Sequence, residues 1–139
     1  MSELPEAYRN AVSFAFGDTP KLADDLLALV LSGKKTATCG ALRDFGSEGD
    51  PMPVVGRRDV VLDGAGRPAA VIEMVEVVIR RFDAVDAEFA FDEGEDDQTL
   101  EAWRVGHEAY FARNGGFATD IELVCERFRL IDVLKQDMD

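Results

Sequence analysis

Apolar positions recur along this chain with two periods, near four and near two, and the changes of period divide it into elements. Tyr8, Val12 and Phe16 stand four apart between Pro5 and Phe16, a spacing that predicts a short amphipathic helix. A second helix is predicted to open at Asp18 or Thr19, either of which can cap it. Pro20 suits its first turn, Leu22, Leu26, Leu29 and Val30 recur at three and four, and Gly33 ends it. Thr36 to Ala41 then reads as a short strand. Phe45 to Pro53, with Gly46, Gly49, Pro51 and Pro53, reads as an irregular loop placed as a lid or rim.

Val60 to Leu62 and Pro68 to Ile79 flank Asp63-Gly64-Ala65-Gly66, a turn suited to joining antiparallel strands. Phe82 to Phe91 reads as a short helix and Asp92 to Asp97 as an acidic turn. The next helix is predicted from about Thr99 to Arg113, with Leu100, Trp103, His107 and Tyr110 on one face and Asn114-Gly115-Gly116 as its stop. Ile121 to Leu134 closes the chain as a long strand whose apolar phase shifts between Cys125 and Phe128, as a bulge on that strand would require. Helices at the start, a tight hairpin and a returning C-terminal strand together predict an α+β fold with a small, curled, partly closed β-barrel, as one domain over residues 1–139.

Composition narrows the chemistry. A hydrophobic content of 47% in 139 residues is enough for one cored domain, and no apolar run approaches the ~20 residues of a bilayer span. Met1 to Asn10 is polar and acidic, unlike a secretory leader, so a cytoplasmic protein with no membrane partner is expected. Cys39 and Cys125 form no CxxC or Cys/His set and read as buried reduced thiols. The single histidine, His107, excludes multi-histidine zinc sites and leaves Mg²⁺ or Mn²⁺ held by carboxylates as the metal chemistry open to the chain. Twenty-eight acids against fifteen bases give a net charge of −13, which repels a phosphate backbone overall. RNA contact would therefore need a local patch, for which Lys34, Lys35 and Arg43, then Arg57 and Arg58, then Arg80 and Arg81 are the candidates. No signal in the sequence sets the oligomeric state.

Several segments in order resemble the ASCH family, a branch of the PUA-like barrels. They are Phe14-Ala15-Phe16-Gly17-Asp18, then Gly33-Lys34-Lys35-Thr36-Ala37-Thr38, Val71-Ile72-Glu73, the acidic run Glu93-Gly94-Glu95-Asp96-Asp97, and the Trp103 to Phe111 helix with Arg104 and His107. The resemblance implies a barrel mouth holding a lysine and a threonine beside an acid, with RNA or a nucleoside derived from it as ligand. Some members are ribonucleases and some short ones are amidohydrolases of acylated cytidine. By position Lys35 matches the motif lysine and Thr38 the motif threonine. Glu95 matches the acid, in competition with Glu93. Two departures stand out: Cys39-Gly40 where small hydroxyl residues are expected, and Arg57-Arg58 after Gly56 where an aspartate is common.

On that resemblance the expected catalytic set is Lys35, Thr38 and Glu95, with Lys34, Arg57, Arg58, Trp103, Arg104 and His107 binding substrate. In a ribonuclease acting on single-stranded RNA, the leading expectation, Lys35 stays charged against phosphorus. A carboxylate or a metal held by Glu95, Asp96 and Asp97 activates the attacking oxygen, and bases stack on Phe45, Trp103 or Tyr110. In an amidohydrolase acting on N4-acetylcytidine, a partly shielded Lys35 is neutral and serves as base, Thr38 is nucleophile or positioning group, and Glu95 orients the lysine or protonates the leaving amine. Lys35 and Thr38 are three apart and would face opposite ways on one strand, so Lys35 must sit in the turn before it. A binding module without catalysis is the third expectation. Plainer roles compete at each position: Lys34 and Lys35 as helix C-terminal cations, Thr36 and Thr38 as strand residues, Asp97 as a helix cap, and Trp103 and His107 as core.

Overall fold

The sheet is five-stranded, in the order β1-β3-β4-β5-β2. Its strands are β1 (Val12–Phe14), β2 (Ala37–Ala41), β3 (Arg58–Leu62), β4 (Pro68–Arg81) and β5 (Glu122–Val133), accompanied by helices α1 (Pro20–Leu31), α2 (Ala87–Glu93) and α3 (Leu100–Arg113). A computed structural model describes residues 5–46 and 49–134; the outer ends of the expected domain, and Ser47-Glu48 of the expected rim loop, lie outside the described residues. β1 runs parallel to β3, and all other neighbours are antiparallel. The edge strands β1 and β2 do not pair with each other. They line opposite sides of one cavity, so the sheet is a half-barrel with an open seam.

The expected helix from Pro5 to Phe16 does not form. A single 3₁₀ turn covers Glu6–Tyr8, and β1 follows. A spacing of four is also two periods of two: Phe14 packs edge-on against Phe16 at 4.9 Å, and Val12, Phe14 and Phe16 form an alternating strand pattern that reads as helical when only every second member is counted. α1 forms as its sequence predicts, with Thr19 Oγ1 accepting from the Leu22 amide at 3.1 Å and Pro20 in the first turn. Its inner face, with Leu26, Leu27 and Val30, meets Ile72, Met74 and Phe128 in one of two buried clusters. Ala37, Phe82, Phe89, Trp103, Phe111 and Leu123 belong to the other.

The β3–β4 hairpin forms as expected, with Asp63 Oδ1 accepting from the amides of Ala65 and Arg67, both at 2.9 Å. β4 and β5 pair over almost their whole length with two register slips. The slip beside Phe128 inserts Val75 on β4, so the expected bulge lies on the partner strand rather than on β5; a second slip inserts Ile131 on β5. Such insertions bend strands and increase twist, which lets a long ribbon curl into a half-barrel. The unbroken burial from Leu123 to Glu126, which mimics a phase shift, arises because this central strand is covered on both faces.

The expected helix over Phe82–Phe91 divides into a 3₁₀ turn (Phe82–Ala84) and α2, which Asp86 caps by accepting from the Phe89 amide at 2.9 Å. α2 extends through Asp92 and Glu93, two residues of the expected acidic turn, and stops at Gly94 in the left-handed region with φ +73°. A side chain on Gly94 would lie 2.5 Å from the Lys34 carbonyl oxygen, so glycine is what lets the end of α2 press against the Lys34-Lys35 backbone. Thr99, not Asp97, caps α3; Asp97 instead accepts from the amide and hydroxyl of Thr99. Gly94→Ala should lower unfolding free energy by at least about 1–2 kcal/mol for the left-handed backbone alone, read as a lower urea midpoint at unchanged m-value.

Candidate active site

Lys35 follows α1 and precedes β2, in the turn that the spacing to Thr38 requires. Its amide, like that of Lys34, donates to the Leu29 carbonyl, and the Thr36 amide donates to the Asp92 carbonyl at 2.7 Å, tying this turn to α2. The Lys35 side chain enters the interior, leaving the residue 1% exposed. Nζ donates to Glu95 Oε2 at 2.7 Å, to Glu93 Oε1 at 3.2 Å and to the Glu93 carbonyl at 3.3 Å, and lies 5.5 Å from the centre of the Phe16 ring. Both candidate acids therefore contact the lysine, because the tight stop at Gly94 places a carboxylate on each side of it.

The two acids differ in surroundings. Glu93 is 1% exposed and its other oxygen accepts from Trp103 Nε1 at 2.7 Å, while His107 Nε2 stands 3.5 Å from Oε1. Glu95 keeps 23% of its side-chain surface and lines a cavity of about 330 Å³ with Thr38, Cys39, Glu93 and His107. Burial opposes the Glu93 charge, but Lys35, His107 and Trp103 outweigh it and hold the carboxyl well below its ordinary range. Burial dominates at Glu95 and, with repulsion from Glu93, raises it despite the lysine. Burial alone would discharge Lys35, yet the two carboxylates overcome it and hold the ammonium above its usual value. Lys35 is thus held as a cation between Glu93, whose carboxyl is lowered, and Glu95, whose carboxyl is raised, an arrangement that opposes the neutral lysine expected of a base.

Trp103 and His107 support this cluster from α3. Trp103 is buried, and its ring stacks on His107 with centroids 4.3 Å apart, so it offers no face to a nucleobase. His107 Nδ1 donates to the Trp103 carbonyl at 2.9 Å. Burial works against its imidazolium, but Glu93 outweighs it and raises the pKa. Cys39 Sγ completes a group with Glu93 and His107 whose ligand atoms lie within 4.8 Å of one another, the one set among the described residues close enough to share a metal ion. Both Glu93 oxygens already accept from cationic or N–H donors, and the Lys35 ammonium stands 3.2 Å away, where it would repel a second cation. The expected metal set Glu95, Asp96 and Asp97 does not converge among the described residues.

Thr38 and Cys39 also line a second cavity, of about 250 Å³, between the edge strands. Its wall carries Asp59, whose two oxygens accept from Arg57 at 2.7 and 2.8 Å, and Glu126, the cross-strand partner of Thr38. The Phe45 ring covers Gly40, where a side chain would meet it at 3.1 Å, which accounts for one of the two departures from the motif. Arg57 is therefore held by Asp59, and Arg58 reaches Glu73 at 3.4 Å, so neither expected binding arginine stands as a free cation. Lys34 and Arg104 are exposed and lie outside both cavities. Of the other basic candidates, Arg80 and Arg81 face Asp86 and Asp83, and Arg43 donates to the carbonyls of Asn114 and Gly116.

Glu126 has no signal in the sequence, where it reads as one of several charged residues along β5. It is 8% exposed, and its side chain makes no hydrogen bond or ion pair among the described residues. Burial pushes its carboxyl up to about 7, with Asp59 adding to the shift and Arg57 opposing it.

The family model described as the ASCH domain matches residues 12–132. An ASCH domain structure from Lactobacillus crispatus is 31% identical, with a TM-score of 0.81, and the match covers 90% of this chain and 82% of that one. A protein structure from Enterococcus faecalis is 34% identical over 88% of this chain and 77% of its own, with a TM-score of 0.80. The ASCH structure from Zymomonas mobilis shares the fold at 13% identity and a TM-score of 0.53, covering 89% of this chain and 71% of that one. Curated protein sequences offer no match.

Two stability measurements check the electrostatics. Lys35→Met leaves two acids facing each other in the interior and should cost about 3–5 kcal/mol in urea unfolding, much of it recovered in Lys35→Met/Glu93→Gln. Glu126 has the opposite sign from a salt-bridged acid. Its folded pKa lies above the unfolded value, so its contribution is complete below about pH 4 and is lost as pH rises toward 7. Glu126→Gln should therefore gain on the wild type in thermal midpoint between pH 5 and 8, measured in steps of about half a unit.

Proposed function

The chain belongs to the ASCH domain family, and within it we propose that this protein is an amidohydrolase that removes an acyl group from the exocyclic amine of an RNA-derived nucleoside of the N4-acetylcytidine type. The observation that carries the reading is the enclosure of Lys35: it lines neither cavity, while Thr38 and Glu95 both reach the same one. A ribonuclease needs an accessible cation to meet the charge that builds on phosphorus. Here the motif lysine is consumed by two carboxylates, and Arg57, Arg58 and Arg113 each face an acid. The cavity walls add Asp44, Asp50, Asp96 and Glu126 to a chain of net charge −13. A neutral nucleoside enters such a site more readily than a polyanion.

In this reading Thr38 supplies the oxygen. Its hydroxyl makes no hydrogen bond among the described residues and stands where the two cavities meet. The oxygen loses its proton to a base at the cavity wall as it adds to the acyl carbon, the carbon–nitrogen bond breaks, and the amine departs with a proton from Glu95. Water then hydrolyses the acyl-threonine ester and returns a proton to Glu95. Lys35 holds Glu95 in place and keeps positive charge beneath the reacting atoms. Glu93, with Trp103 and His107, fixes the lysine. A cytoplasmic site of action accords with Cys39 and Cys125, both free thiols and directly opposite each other on β2 and β5.

Incubation with N4-acetylcytidine should release acetate and cytidine, with kcat falling at least about 10²-fold in Thr38→Val and in Glu95→Gln. Labelled single-stranded RNA treated in parallel should stay intact. RNA cleavage that disappears in Thr38→Val, without acetate release, would restore the ribonuclease expectation.

A further inference from the structure

Among the described residues, Glu126 is the buried carboxyl whose side chain has no hydrogen-bond or ion-pair partner. It is directly opposite Thr38 across the β2–β5 ladder, and opposed residues share a face of the sheet, with Cβ atoms about 4.5–5.5 Å apart. Both side chains line the cavity between the edge strands. Neither makes a hydrogen bond to any described residue, although Glu126 is 92% enclosed and buried carboxyls are normally satisfied. The other buried acids are engaged: Asp59 with Arg57, Asp63 with the Ala65 amide and with Arg67, and Glu93 with Lys35 and Trp103. A carboxyl enclosed without a partner, beside a hydroxyl without a partner, at the wall of an open cavity, has the arrangement of a base waiting for its substrate.

We propose that Glu126 is the general base that takes the proton of the Thr38 hydroxyl. The inference rests on the amidohydrolase reading for its natural substrate but not for its test. Thr38 Oγ gives its proton to Glu126 as it bonds to the acyl carbon, and the carbon–nitrogen electron pair leaves with the amine, which takes its proton from Glu95. In the second half a water loses its proton to the Glu95 carboxylate and bonds to the acyl carbon. The ester bond to Thr38 breaks, and Glu126 returns its proton to Oγ. The two carboxyls then act from different sides of Thr38, Glu126 from the edge-strand cavity and Glu95 from the cavity that also holds His107.

The groups facing Glu126 suit it to work near neutrality. Asp59 on β3 opposes its ionisation and Arg57, just before that strand, favours it; Glu93 of α2 and Lys35 act in the same two senses from further off. Its pairing partner on β4 is Val77, which carries no charge, and Cys39, Asp44, Asp50 and Tyr110 complete the titratable groups that line the cavity. A base at about 7 is half ionised at the pH at which it works.

p-Nitrophenyl acetate separates this step from the rest, because its leaving group departs as an anion and needs no acid. Wild-type protein should acetylate at Thr38, located by peptide mapping, with a rate that rises with pH through about 7. Glu126→Gln, equal in shape, should acetylate about 10²–10⁴-fold more slowly and lose that rise. On N4-acetylcytidine, Glu126→Gln should lower kcat with KM little changed. Wild-type acetylation rate and pH profile in Glu126→Gln, or no acetylation of wild-type Thr38, overturns the assignment of Glu126. Glu126-dependent acetylation of Thr38 without acetate release from N4-acetylcytidine sustains it and overturns the substrate instead.

Discussion

A lysine ammonium enclosed between two carboxylates organises this molecule. Removing a charge of that size from water costs several kcal/mol and is offset only by close opposite charge and filled hydrogen-bonding positions. Lys35 has both, but its partners come from a segment about sixty residues later. Meeting that requirement fixes where α1 stops, how α2 ends and how the α2–α3 connection lies over the start of β2. The stop at Gly94 and the Trp103 indole on Glu93 are parts of the same solution, one steric and the other a hydrogen bond.

The enclosure also decides what the site can bind. An exposed lysine beside a hydroxyl would be a phosphate contact, whereas the same lysine beneath a cavity floor acts only through the groups it holds. In the proposed reaction the chemistry passes to Thr38 and to the carboxyls around it, between walls whose acids oppose a polyanion. His107, expected either to bind substrate or to pack in the core, stands 3.5 Å from Glu93 and also lines the cavity that Glu95 reaches.

Much of this was legible in the residues, and the failures share a cause. α1, α3 and the β3–β4 hairpin carry local signals, namely a capping threonine, a proline in the first turn, a glycine stop and a turn sequence, and these survive into the structure. β1 misleads because Val12, Phe14 and Phe16 alternate, and only a neighbouring strand distant in sequence decides between the two periods. The phase shift near Phe128 points to β5 although the extra residue is on β4, because an apolar pattern reports what covers a residue and not which strand carries the insertion. Lys35, Thr38 and Glu95 could be proposed from a family resemblance. Glu126 could not, since its interest lies in what it fails to touch, and an unmet partner leaves no trace in a pattern of residue types.

The open seam of the half-barrel has a mechanical side. β1 and β2 face each other without exchanging backbone hydrogen bonds, so the walls of the cavity between them belong to strands each anchored from behind, on β3 and β5. The width of the cavity is therefore set by the curl of the β3-β4-β5 ribbon at its back and not by a ladder across its mouth, and a change in that curl would move the two edges as a pair of jaws.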